Sequence, residues 1–149
     1  MMTMSGFVTI AQIIWSERVS MQFDDSKVTY ELDVRQEVCP VRGNAMCSGD
    51  ESFDREVEDG IIERLNNGDI WAWASVHVIA RYEGVPDVHG DDYLGCCSYA
   101  DEADFTRPGD YYDDMKCVAR EDLKAKLEKA LRALDPLQSG VDYPLPHTD

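Results

Sequence analysis

The chain has 149 residues, 44% of them hydrophobic and 9% aromatic, with 30 Asp and Glu against 14 Lys and Arg for a formal net charge of −16. This is the size of a single domain that buries its own core without disulfides or metals. So negative a surface repels phosphate backbones and anionic lipid, which speaks against direct nucleic-acid or membrane binding and in favour of basic proteins or cations as partners; acidity that serves only solubility is the plainer alternative.

Residues 1–26 are expected to form an N-terminal extension, 27–135 a single α+β domain and 136–149 a C-terminal tail. In the extension, FVTIAQIIW (7–15) lacks the basic flank and cleavage site of a signal peptide and is too short to span a bilayer. Met1, Met2, Met4 and Met21 each offer a start.

Along the domain, VTYELDV (28–34) alternates apolar and polar residues, which predicts a half-buried strand. Ser48 or Asp50 is the expected cap of a helix whose Phe53, Val57, Ile61 and Leu65 form an apolar stripe ended by Asn66-Asn67-Gly68. IWAWASVHVIARY (70–82) is the strongest strand signal. It places Ile70, Ala72, Ala74, Val76, Val78, Ala80 and Tyr82 on one face and Trp71, Trp73, Ser75, His77, Ile79 and Arg81 on the other. Gly and Pro make 84–92 an expected loop before a shorter strand, Tyr93–Tyr99, and 100–110 reads as a turn region. A long helix follows from Tyr111 to Leu134, with Met115, Ala119, Leu123, Leu127, Leu131 and Leu134 as its stripe and Pro136 beyond it.

The order strand–helix–strand–strand–helix predicts a two-layer fold: a three-stranded mixed or antiparallel sheet with two helices on one face. A helix between the first two strands allows a right-handed parallel crossover. Trp71 and Trp73 would then share the second face, either covered by Phe7, Ile10, Ile13, Ile14 and Trp15 or forming a homodimer interface.

Cys39, Cys47, Cys96, Cys97 and Cys117 are odd in number and contain no CxxC. This pattern reads as free thiols in a reducing, cytoplasmic setting and neither as a disulfide framework nor as a zinc knuckle.

The acids are unevenly spread. Residues 83–114 hold ten acids against Arg107 alone, and 50–64 hold seven against Arg55 and Arg64, whereas Arg120–Arg132 holds five bases and three acids. The expected partner-binding residues are Asp87, Asp91, Asp92, Asp101, Glu102, Asp104, Asp110, Asp113 and Asp114. Spaced carboxylates of this kind imitate phosphates and suit a basic protein built to hold nucleic acid.

The first alternative is a metal- or small-ligand-binding protein or enzyme using His89 with Asp87, Asp91 and Asp92, although the spacing is not that of an EF-hand. The second is a homodimeric assembly protein joined through Trp71 and Trp73. No GxGxxG, P-loop or HExxH occurs and no nucleophile stands beside a base in a known signature, so no catalytic residue, cofactor or metal is expected.

DIWAWASVHV (69–78), DYLGCCSYADEADF (92–105) and PGDYYDDMKCVA (108–119), with PVRGNA (40–45) and DGIIERLNNGD (59–69), resemble small acidic proteins of unknown function carried by bacteriophages and mobile elements. The resemblance runs over about 28–134 and transfers no catalytic residue or cofactor. It implies a setting in the host cytoplasm, where compact acidic phage proteins bind and inhibit defence machinery such as CRISPR effectors and restriction enzymes.

Overall fold

Ala74–Tyr82 forms the central strand of the protein, because its alternate residues Ala74, Val76, Val78 and Ala80 are small enough to be wholly buried beneath a helix. We describe it from a computed structural model covering residues 22–139. Strand β1 (Val28–Gln36) pairs with the central β2 on one side and β3 (Val85–Cys97) pairs on the other, both antiparallel, in the order β1-β2-β3. With helices α1 (Glu51–Asn66), α2 (Glu102–Phe105) and α3 (Tyr111–Ser139), this is the expected α+β class.

The parallel crossover is not found. Gln36, the last residue of β1, lies opposite Ala74, the first of β2, so β2 enters at the end where β1 leaves. Helix α1 packs beyond that end instead of running back along the sheet. Asp50 caps it, accepting from the backbone N–H groups of Ser52 and Phe53 at 3.0 and 3.2 Å. Its apolar stripe is narrow: Ile61 is buried with Val41, Ala72 and Trp73, while Phe53 stays 47% exposed. That small cluster is separate from the main core.

Helix α3 covers the sheet alone, over β2 and β3, burying Met115, Ala119, Leu123 and Leu127. Gly90 of β3 lies directly beneath it. The helix continues through Pro136 to Ser139 and overhangs the sheet, so the expected stripe residues Leu131 and Leu134 are exposed.

Trp71 and Trp73 do not share a face. Asp69 accepts from Trp71 N–H at 3.0 Å and caps a 3₁₀ turn, Ile70–Ala72, which breaks the strand alternation before β2 begins. Trp71 turns into the main core, its ring 5.5 Å from that of Phe105. Trp73 is only 2% exposed, in the α1 cluster, and donates Nε1–H to the carbonyl of Cys39 at 2.7 Å. Both indoles are thus packed within the chain and form no joint interface. The expected cover by residues 7–15 lies outside the described residues.

The expected loop 84–92 belongs to β3. A tight turn at Glu83-Gly84 puts Val85 opposite Tyr82, and a bulge absorbs Pro86, Asp87 and Val88 before His89 meets Arg81. Residues 100–110 also carry more than turns: α2 inserts Phe105, fully buried, among Trp71, Tyr99 and Tyr112. No helix among the described residues is long and apolar enough to cross a membrane.

Candidate functional site: the acidic end of the sheet

Two acid-rich stretches that are far apart in sequence meet at one end of the sheet. Arg64, in the last turn of α1, donates Nη2–H to the carbonyls of Tyr99 and Ala100 at 2.6 and 3.3 Å and pairs with Asp69 at 2.7 Å. Tyr99 N–H donates in turn to the carbonyl of Trp71 at 3.0 Å. These bonds fasten α1 to the segment that leads into α2. The last turn of α1, with the exposed Glu63, therefore lies at the same end as Asp101, Glu102, Asp104, Asp110, Asp113 and Asp114, and the exposed Asp59 and Glu56 follow one and two turns back along the helix. Helix α3 starts at this end and carries its basic residues away from it: Arg120 reaches Asp25 and lies 5.2 Å from the ring of Phe23, close to where β2 finishes.

The expected binding residues fall into distinct groups. Four build the loops that hold them. Asp101 caps α2 by accepting from Asp104 N–H at 2.9 Å, and Asp104 accepts from Ala100 N–H at 3.0 Å and pairs with Arg107. Asp110 accepts from Tyr111 N–H at 2.8 Å. Asp113 accepts from Gly109 N–H at 2.7 Å and pairs with Lys116, and that hydrogen bond, aided by the lysine, holds its carboxyl below the usual range. Glu102 and Asp114 are exposed, and their carboxylates have no hydrogen-bond or ion-pair partner among the described residues. Those two, with Glu56 and Glu63 of α1, are the carboxylates this end offers outward.

The other three lie elsewhere. Asp87, Asp91 and Asp92 are on β3, and the alternation of a strand sends Asp91 and Asp92 to opposite faces. Asp91 points to the face of the sheet that carries His77, and because β3 is an edge strand, side chains of α3 reach it past that edge. There His77 Nε2 lies 3.1 Å from Asp91 Oδ2, and Lys126 stands 3.5 Å from Oδ1. Partial burial works to raise the Asp91 carboxyl, but the His77 hydrogen bond and the Lys126 charge outweigh it and its pKa is lowered. Asp87, His89, Asp91 and Asp92 do not converge: among the described residues no three His, Cys, Asp or Glu side chains gather as metal ligands.

No known protein family, curated protein or solved structure matches this chain.

The outer face of the sheet holds a second feature. Tyr93, 63% exposed, stacks on the imidazole of His77 with centroids 3.8 Å apart. Asp33, Arg35 and Ser75 complete an open pocket of about 370 Å³ with these two rings. Arg81 pairs with Glu31 at 2.9 Å on the same face. Sequence reading placed Ser75, His77 and Arg81 on one strand face. It missed their partners because Tyr93 and Asp91 reach them only through the β2–β3 register.

Proposed function

We propose that this chain is an interaction protein of a phage or mobile element that binds a basic host protein through the acidic end of its sheet. The observation that carries the reading is the bonding of Arg64 to Tyr99 and Ala100, which joins two acid-rich stretches into one negative surface. Fields of like charge add, so such a surface attracts a basic partner more strongly than either stretch alone. The fitting partner is a protein whose groove receives phosphates, in which carboxylates take the place of nucleic acid, as in an inhibitor of a host defence enzyme.

Neutralising Glu56, Glu63, Glu102 and Asp114 as Gln or Asn tests this. These side chains hold up no loop, so the variant keeps its melting temperature. Used as bait in a low-salt host lysate, the native chain retains a basic protein and the variant loses it. A control variant changed at Asp87 and Asp92 retains the same protein. Equal capture by all three contradicts the reading.

A second reading, a small polar ligand on the outer face, is favoured by the open pocket between Asp33, Arg35, His77 and Tyr93. Shifts of the His77 and Tyr93 resonances on titration with a metabolite mixture support it, and unchanged spectra dismiss it.

A further inference from the structure

Strands β1 and β3 are two strand spacings apart, about 9.5 Å, with β2 between them. Beyond their ends the chain closes this gap. Glu37 follows β1, and its carboxylate accepts from three backbone N–H groups: Val38 at 2.8 Å and Cys39 at 3.1 Å through one oxygen, and Cys96 at 3.0 Å through the other. One side chain thereby ties the loop after β1 to the end of β3. The carbonyl of Cys39 is held from the other side by Trp73 Nε1–H. The result is that Cys39 and Cys96 are held beside each other, their backbone N–H groups bound to the two oxygens of one carboxylate.

Cys96 reaches this position through an unusual backbone. It sits at a bulge in the β2–β3 pairing with φ of +53°, and it is the sole non-glycine residue with positive φ among the described residues. Glycine is the ordinary occupant of such a bulge, so a side chain here is retained against a conformational cost. The next residue is turned the other way. Cys97 donates its S–H to the carbonyl of Ala74 at 3.2 Å, is half-buried, and burial pushes its thiol up to about 11. Cys96, by contrast, is exposed, and Cys47 and Cys117 are exposed thiols on other elements.

We propose that Cys39 and Cys96 are a redox site: a dithiol, pre-positioned by Glu37, that closes reversibly to a disulfide when the chain meets a small-molecule disulfide such as oxidised glutathione. The exposed Cys96 thiolate attacks one sulfur of that disulfide and a glutathione thiolate leaves. The Cys39 thiolate then attacks the Cys96 sulfur of the mixed disulfide, and the second glutathione thiolate leaves. The two cysteines lose two electrons, one glutathione disulfide becomes two glutathione molecules, and the two cysteine protons pass to the departing thiolates through solvent. Some loss of solvent at the sulfur, with Cys39 and Glu37 beside it, raises the Cys96 thiol, so closure is slow at neutral pH and faster as pH rises. The bridge would close a loop holding α1, β2 and nearly all of β3, and constraint of the unfolded chain makes the oxidised form the more heat-resistant.

The test uses the full chain incubated with oxidised glutathione at pH 7 and pH 8.5, alkylated, digested and mapped by mass spectrometry. The expected product is a Cys39–Cys96 cross-link with the loss of two hydrogens, formed several-fold faster at pH 8.5, reversed by dithiothreitol and accompanied by a higher melting temperature. C97S retains the cross-link. C39S stops at a mixed disulfide on Cys96. The map of the native chain decides by itself: glutathione remaining on Cys96 without a cross-link, or a bridge made through Cys97, Cys47 or Cys117, overturns the proposal.

Discussion

A β-carbon placed on Gly90 would stand 2.0 Å from the carbonyl oxygen of Ala119 and 2.2 Å from the backbone nitrogen of Leu123. Helix α3 therefore rests on β3 backbone to backbone at this point. Only a residue without a side chain allows the approach that buries Ala119 and Leu123 completely. Because the obstruction is main chain, no rotamer change relieves it. Gly90→Ala is expected to cost about 3 kcal/mol or more, at the upper end of overpacking effects, since the whole helix must lift. Urea unfolding followed by circular dichroism measures it, and a loss under about 1 kcal/mol would mean that the helix sits further out.

Phe105 is the one large side chain of residues 100–110 that is fully buried, with Trp71, Tyr99 and Tyr112 around it. Phe105→Ala should destabilise by about 3–5 kcal/mol through lost transfer and the cavity left behind. It should also quench the near-ultraviolet signal of the packed aromatics more than the far-ultraviolet helix signal. A mild effect on both would place Phe105 at the surface.

Asp91 carries a pH signature. The groups facing it are His77 of β2 and Lys126 and Asp122 of α3, whose Oδ2 accepts from Asp91 N–H at 3.1 Å. Its folded pKa lies below the ordinary 3.8, so its ionised form favours the folded state. That contribution is present above pH 3.8 and is lost as pH falls through the folded value. Asp91→Asn should lower the melting temperature at pH 6–7, and the gap between native and variant should close as pH drops below about 4. Differential scanning calorimetry across this range reads it directly. A gap that widens in acid would reverse the sign of the assignment.

Much of this fold was legible in the sequence for physical reasons. The alternation of Val28, Tyr30, Leu32 and Val34 and the run of Ala74, Val76, Val78 and Ala80 are period-two patterns that only a sheet uses, and the stripe Met115–Ala119–Leu123–Leu127 has helical spacing. Direction was not legible, because the stripe of α1 is equally consistent with lying on the sheet or beyond its end. The tryptophan faces were misread since Asp69 caps a 3₁₀ turn, and this single local hydrogen bond ends the alternation before Trp73. Gly90 and Pro86 looked like loop residues. In the fold one answers to a helix packed on it and the other to a bulge.

The candidate site was only partly legible. Charge counting found the acids of 50–64 and 101–114, but their meeting at one end depends on Arg64, a residue with no marked feature in the sequence. The same bookkeeping grouped Asp87, Asp91 and Asp92 with them, and the length of β3 separates these. Counting charges also gives no sign of which carboxylates are occupied. Asp101, Asp104, Asp110 and Asp113 cap and tie their own loops, which leaves Glu102 and Asp114 outward-facing.

The most direct measurement is the salt dependence of affinity for the captured basic partner, compared between the native chain and the variant neutralised at Glu56, Glu63, Glu102 and Asp114. Exposed charges are screened over about 8–10 Å at 0.10–0.15 M salt. The native chain should lose affinity steeply between 50 and 500 mM salt, chiefly through slower association, and the variant should show a shallow slope that meets the native curve at high salt. Parallel slopes for the two proteins, or an affinity that ignores salt, would contradict binding through the acidic end.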